Sequence, residues 1–220
     1  MSLALFSSAE FSSEASNILL RLAKLSLALI VIGLLQACAS GPQTISLSYD
    51  FGPINTERNQ QNADASKIAI SIADISAPST LDSNAMLYRL EYDNAQLLRP
   101  YAQHHWSMPP AQLFAQRFKS KIATTGATVV DVADGVADLA ILKIELDEFS
   151  QVFTSTTQSE AKITLRVSLI KKNKLIAQQY FALATASASA DASGGAKAMQ
   201  VTADRSIGAI LTWLQTQHFN

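Results

Sequence analysis

The chain has 220 residues, of which 48% are hydrophobic and 16% charged, with a formal net charge of −1. That length supports one domain with its own core, and the composition excludes a disordered acidic or basic tail. A near-neutral chain has no electrostatic footprint for nucleic acid and no basic cluster for anionic lipid headgroups.

The hydrophobic residues are unevenly placed. Arg21 and Lys24 precede an uncharged apolar run at residues 25–35 (LSLALIVIGLL). The run has the length of a signal-sequence core and falls short of the roughly 20 residues of a membrane span. Leu35-Gln36-Ala37-Cys38 follows. A small residue directly before cysteine, with leucine three before it, is the lipobox arrangement of bacterial lipoproteins, although Gln36 is a less usual occupant. Residues 1–37 therefore read as a lipoprotein signal peptide, and Cys38 as the lipid-bearing first residue of a mature periplasmic chain. A diacylglycerol plus an N-acyl chain anchors stably, because each buried methylene contributes about 0.8 kcal/mol. The alternative is an uncleaved signal anchor with an incidental cysteine. Cys38 is the only cysteine, so the chain makes no internal disulfide. Ala39, rather than Asp, follows it, and outer-membrane delivery is the expectation.

Residues 38–66 read as a lipidated N-terminus and flexible tether. They hold Gly41, Pro42, Gly52 and Pro53, and a polar stretch at 55–66 without apolar periodicity. A short strand over 45–51 fits within them, because Ile45, Leu47 and Tyr49 alternate with polar residues. The folded domain is expected over 67–220.

Ile68, Ile70 and Ile72 alternate with smaller residues, as in a half-buried strand. Pro78 and the polar run at 79–84 break it. Residues 86–92 and 96–101 predict a hairpin turning at Asp93-Asn94. Ser107 is a candidate N-cap, with Pro109 and Pro110 in the first turn of a helix. That helix runs to about Ala123, with Phe114, Phe118 and Ile122 on one face and Gly126 as its stop. Residues 128–130 predict a short strand, and 138–149 a longer one with Ala140, Leu142, Ile144 and Leu146 on one face. Residues 161–170 alternate most clearly: Ala161, Ile163, Leu165, Val167 and Leu169 against Lys162, Thr164, Arg166 and Ser168. Lys172-Asn173-Lys174 turns the chain into a strand at 175–186. A small-residue stretch at 187–198 leads to a last helix with Met199, Ala203, Ile207, Ile210 and Leu214 as its apolar stripe. One-faced strands need a cover. The expected fold is α/β (α+β): a two-layer sandwich, a mainly antiparallel or mixed sheet with two amphipathic helices on one face.

Catalytic and metal-binding patterns are weak. Adjacent strand residues His104 and His105 point to opposite faces and do not naturally share an ion. No serine sits in a nucleophile elbow. Gly194-Gly195 reads as a flexible approach to the last helix. Asp131, Asp134 and Asp138 around Gly135 lack the spacing of a calcium loop and read as a solvated turn. No enzyme activity, metal or cofactor is expected. Residues 88–110 concentrate Tyr88, Arg89, Tyr92, Arg99, Tyr101, His104, His105 and Trp106. Tyrosine, tryptophan and arginine dominate protein contacts, so Tyr88, Arg89, Tyr101 and Trp106 are candidate partner contacts. The competing reading packs the aromatics under the first helix.

Asp74, Pro78, Leu81-Asp82, Met86, Tyr88-Arg89, Tyr101, and Trp106 followed by Pro109, closely resemble the pattern of the ABC-type transport auxiliary lipoproteins. These include the lipoprotein of the paraquat-inducible MCE transport system. The resemblance spans nearly the whole mature chain, and its weight lies in the order and spacing of the motifs. It implies an outer-membrane-anchored, non-catalytic component of an intermembrane lipid transport route, with an MCE-domain protein as partner. The same analogy allows self-association into a ring (a homo-oligomer). The alternative is a lipoprotein scaffold or activator of another cell-envelope complex, which would share the lipobox, tether and small α/β domain.

Overall fold

The structure is a computed structural model, which describes residues 21–26, 45–54 and 68–218. Leu35, Gln36, Ala37 and Cys38 lie outside the described residues. The chain divides into two units at Thr44/Ile45. In the first, residues 21–26 are helical. Among the described residues, no helix is long and apolar enough to cross a membrane.

The second unit is an α+β sandwich built on an eight-stranded mixed sheet. In chain order the strands are β1 (Leu47–Tyr49), β2 (Ala69–Ile72), β3 (Ala85–Leu90), β4 (Ala95–Trp106), β5 (Thr128–Asp131), β6 (Ala140–Phe153), β7 (Ser159–Lys171) and β8 (Lys174–Ala186). The helices are a single turn, α1 (Glu91–Asn94), and two long elements, α2 (Pro110–Ala123) and α3 (Ala192–Gln215).

β6 organises the sheet. One side pairs antiparallel with β7 along its whole length. The other side is shared: β2 runs parallel to its first residues and β3 parallel to its last. β5 continues the sheet beyond β2; β4 and β1 continue it beyond β3. Between β2 and β3 the chain keeps contact with β6, as Ser76 N donates to Ile144 O (3.2 Å) and Leu146 N to Ser76 O (2.8 Å).

The predicted alternation on β7 holds. Ala161, Ile163, Leu165, Val167 and Leu169 are fully buried beneath the helices. Lys172 and Asn173 both take positive φ, which is how a two-residue hairpin turn follows the twist of its strands. β6 departs from simple alternation. Leu146 pairs with Leu165, but Glu148 pairs with Thr164. Asp147 is thus the extra residue of a bulge, and after it Phe149, Gln151 and Phe153 join the face of Leu146. The expected strand stops at 149 because the bulge interrupts the period; the observed one continues to Phe153.

The helix layer follows from its stripes. α2 buries Leu113, Phe114, Phe118 and Ile122, and α3 buries Met199, Ala203, Ile207, Ile210 and Leu214. Arg117, 5% exposed, joins the two. Its Nε and Nη2 donate to the Asp204 carboxylate at 2.8 and 2.9 Å, and its Nη1 donates to Gly52 O at 3.0 Å.

Two expectations need correction. The N-cap of α2 is Pro109, without a side-chain cap bond, and not Ser107. Ser107 N instead donates to Tyr49 O, so the residue belongs to the β1–β4 junction. Gly194-Gly195 is no flexible approach: α3 begins at Ala192, with the Asp191 carboxylate accepting from Gly194 N at 2.7 Å. The short strand expected over 45–51, within the tether range, is present as β1. Leu47–Tyr49 pairs in parallel with His104, His105 and Trp106, and Phe51 is buried against Trp106 and Phe149.

Candidate partner-binding surface

β3 and β4 bring the sequence-selected residues to one end of the sheet, but not to one surface. Tyr88 and Arg89 are consecutive on a strand and so face opposite ways. The Tyr88 ring lies 4.6 Å from that of Tyr101 and 5.9 Å from that of Phe153. Tyr101 stands edge-on to His104 at 5.8 Å, and His104 stacks on Tyr49 at 5.7 Å. Phe153, Tyr88, Tyr101, His104 and Tyr49 thus form one aromatic row contributed by β6, β3, β4 and β1. Phe153 is buried; the other four are half-buried.

A buried amide fixes this row to the helix layer. Gln151 is fully buried. Its Oε1 accepts from Tyr101 Oη at 2.9 Å, and its Nε2 donates to Ser159 Oγ at 2.8 Å and Asp191 O at 3.1 Å. A buried polar side chain is stable only when paired in this way. Burial, then the neighbouring Tyr88 and Asp191, push the Tyr101 phenol well above its ordinary value, so it stays a neutral donor. The backbone N–H of Gly194 is the main reason the Asp191 carboxyl lies below its usual range, against a smaller opposing effect of burial; the Ser189 hydroxyl and nearby His104 add to the lowering.

Arg89 acts elsewhere. Its Nη1 donates to Ala95 O (3.2 Å) and Gln96 O (3.4 Å), and its Nε lies 3.6 Å from Glu148. It closes its own hairpin. Arg99, across from Tyr88 on β4, pairs with Asp93 at 2.9 Å. Trp106 offers no surface. It is 1% exposed and packs edge-on to Phe51 and Phe149 at 6.0 and 5.4 Å. The candidate contact at Trp106 is therefore corrected to a core residue, because Phe51 and Phe149 enclose its ring.

His104 and His105 hydrogen-bond separately, to Tyr49 Oη and Ser46 Oγ, each at 3.1 Å. The acidic turn is a one-turn helix at Val132–Asp134 with a capping box between Asp131 and Asp134, ended by Gly135 in the left-handed region. Among the described residues no His, Cys, Asp or Glu cluster could hold a metal. Sequence reasoning missed Tyr49 and Gln151. The alternation around Tyr49 was visible, but the tether assignment hid its partner; nothing local marks Gln151.

The family model of the ABC-type transport auxiliary lipoprotein component matches residues 49–210, a span that holds the whole aromatic row. The chain belongs to this family. As an ABC-type transport auxiliary lipoprotein it is an auxiliary component of a transport system, and its family places it among membrane-anchored envelope proteins. The fold is similar to that of a Xanthomonas campestris protein of the DUF330 family, with a TM-score of 0.60 and 18% identity over 80% of this chain and 88% of that one. It is also similar to a crystal structure of an uncharacterized protein, with a TM-score of 0.58 and 12% identity over 77% and 99% of the two chains. No curated protein matches the auxiliary lipoprotein sequence.

Proposed function

We propose that this auxiliary lipoprotein is anchored to the periplasmic face of the outer membrane through Cys38 and binds the MCE-domain component of an ABC-type intermembrane lipid transport system, without a catalytic step of its own. The observation that carries the reading is the row Phe153–Tyr88–Tyr101–His104–Tyr49, held rigid by Gln151. Tyrosine buries much area for little lost conformational entropy, and a row already fixed before binding loses less still. The lipobox supports the anchor, and the resemblance of the Tyr88-Arg89 segment to the paraquat-inducible lipoprotein supports the MCE partner.

The test is capture of the MCE component by the tagged lipoprotein. Tyr88→Ala is expected to weaken capture by about tenfold or more, which is at least about 1.4 kcal/mol, with an unchanged fold. Arg89→Ala is expected to bind as the parent does, because its guanidinium is occupied within its own hairpin. Undiminished capture by Tyr88→Ala, or loss confined to Arg89→Ala, places the partner surface elsewhere.

A further inference from the structure

Among the described residues, the sheet ends at β8 on the side away from β1; β8 is a strand of 13 residues whose described strand partner is β7. Its hydrogen-bonding polarity can be assigned. Ser187 N donates to Ser159 O at 2.8 Å, and the antiparallel register continues as Thr185↔Ala161, Leu183↔Ile163, Phe181↔Leu165 and Gln179↔Val167. In such a ladder, opposed residues alternate between exchanging both backbone bonds and exchanging none. Gln179, Phe181, Leu183 and Thr185 therefore bond inward to β7. Gln178, Tyr180, Ala182 and Ala184 turn their N–H and C=O groups outward. Two side chains report the same polarity independently: Arg205 Nη1 donates to Ala184 O at 2.8 Å, and Gln179 Nε2 to Tyr180 O at 3.3 Å.

Native sheets usually blunt an open edge with charge, proline or a covering element. Residues 175–186 contain no charged residue, proline or glycine. They also expose Leu175 at 60% and Tyr180 at 59%. β4, whose first nine residues have no strand partner on the β1 side among the described residues, carries Arg99 and Pro100 there. Arg205 covers the Ala184 end of β8, and the exposed Gln179 side chain rests on Tyr180 O, from which it can swing into solvent.

The geometry points to β8 as a strand-addition site for an extended segment of another protein, running antiparallel along residues 178–182, uncharged in its middle and acidic at its C-terminal end. An added strand matches alternating outward N–H and C=O groups in register, replacing the water that otherwise satisfies them. Antiparallel addition sets the C-terminus of the segment beside Lys172 and Lys174, both exposed at the β7–β8 turn, where carboxylates complete the charge pattern. A second copy fits worse. Two-fold pairing of β8 with itself brings Lys172 and Lys174 of one copy toward Arg205 of the other, cation against cation. This edge is separate from the aromatic row and does not rest on the MCE reading.

The test is residue-resolved amide hydrogen exchange on the full chain in detergent. The probes are ten-residue peptides of alternating Thr and Val ending in Glu-Glu or in Lys-Lys. The Glu-ended peptide is expected to slow exchange at Tyr180 and Ala182 tenfold or more. Gln179 and Phe181, already bonded to β7, should not change, and the Lys-ended peptide should act at least tenfold more weakly. Ala182→Pro removes an outward N–H and no bond to β7, so it should abolish the effect, whereas Ala182→Ser should keep it. Exchange at Tyr180 that slows with protein concentration alone assigns the edge to a second copy and overturns the proposal. So does equal slowing by both peptides, or slowing by neither.

Discussion

Gly195 lies so close to the side-chain amide of Gln151 that a Cβ on residue 195 would overlap Oε1 and Cδ. The amide that orients Tyr101 is thus also the surface on which the first turn of α3 sits. Gly195→Ala should improve intrinsic helix propensity by about 1 kcal/mol, yet the overlap should cost about 1–3 kcal/mol, so the variant is expected to melt at lower temperature. Gly208, further along the same helix, has nothing within 4 Å of its Cβ position. Gly208→Ala should instead stabilise by about 0.4–1 kcal/mol. Opposite shifts in thermal unfolding check both residues; a stabilised Gly195→Ala would mean that Gln151 yields.

Asp204 should make stability depend on pH at the acid end. Burial alone would raise its carboxyl, but the Arg117 hydrogen bond, together with the charges of Lys121 and Arg117, outweighs burial and holds it below the ordinary 3.8. The folded state therefore favours the ionised form. That contribution is fully present above the unfolded value and is lost as pH falls from about 3.8 through the lowered folded value. Asp204→Asn should remove this part of the acid dependence while leaving a less stable protein at neutral pH. Denaturant unfolding at a series of pH values measures it, and an unchanged acid slope in the variant refutes it.

Leu165 and Arg166 are neighbours on β7 with opposite surroundings. Leu165 is fully buried, and Leu165→Ala should cost about 2–5 kcal/mol. The Arg166 side chain is 49% exposed and pairs with Glu145 at 2.9 Å. Arg166→Ala should change stability by less than about 1 kcal/mol, since solvent screens such a pair. Equal losses in the two variants would contradict the register of β7.

Cys38→Ser should release the mature-sized protein from the membrane fraction, because the anchor proposed at that thiol would be gone. Fractionation of cells expressing each form reads this directly. A variant that stays membrane-bound to the same extent overturns the anchor.

Much of the sheet was legible in the sequence because its strands carry a one-faced period that local residue order records. β7 and the stripes of α2 and α3 are read this way, as is the closing turn at Lys172-Asn173. The lipobox is likewise a local pattern, and it carries the expectation for Cys38. The resemblance to the family was carried by the order and spacing of residues such as Leu81-Asp82, Tyr88-Arg89 and Trp106, which are also sequence properties.

Other features depend on partners distant in the chain. Whether Trp106 was a contact or core turned on Phe51, which reaches it once β1 docks beside β4, and on Phe149, which β6 brings to it across the sheet. The period on β6 could not show the Asp147 bulge, since a bulge exists only against the paired strand. Composition put Tyr88 and Arg89 in one cluster, and the pleat sent them to opposite faces. Gln151 and Gly195, 44 positions apart in the sequence, had no local signature; close packing alone made one the hub and excluded a side chain at the other. Periodicity is local and therefore written along the chain, whereas burial, hydrogen-bond closure and which face a residue joins are set by segments that meet only in the folded sheet.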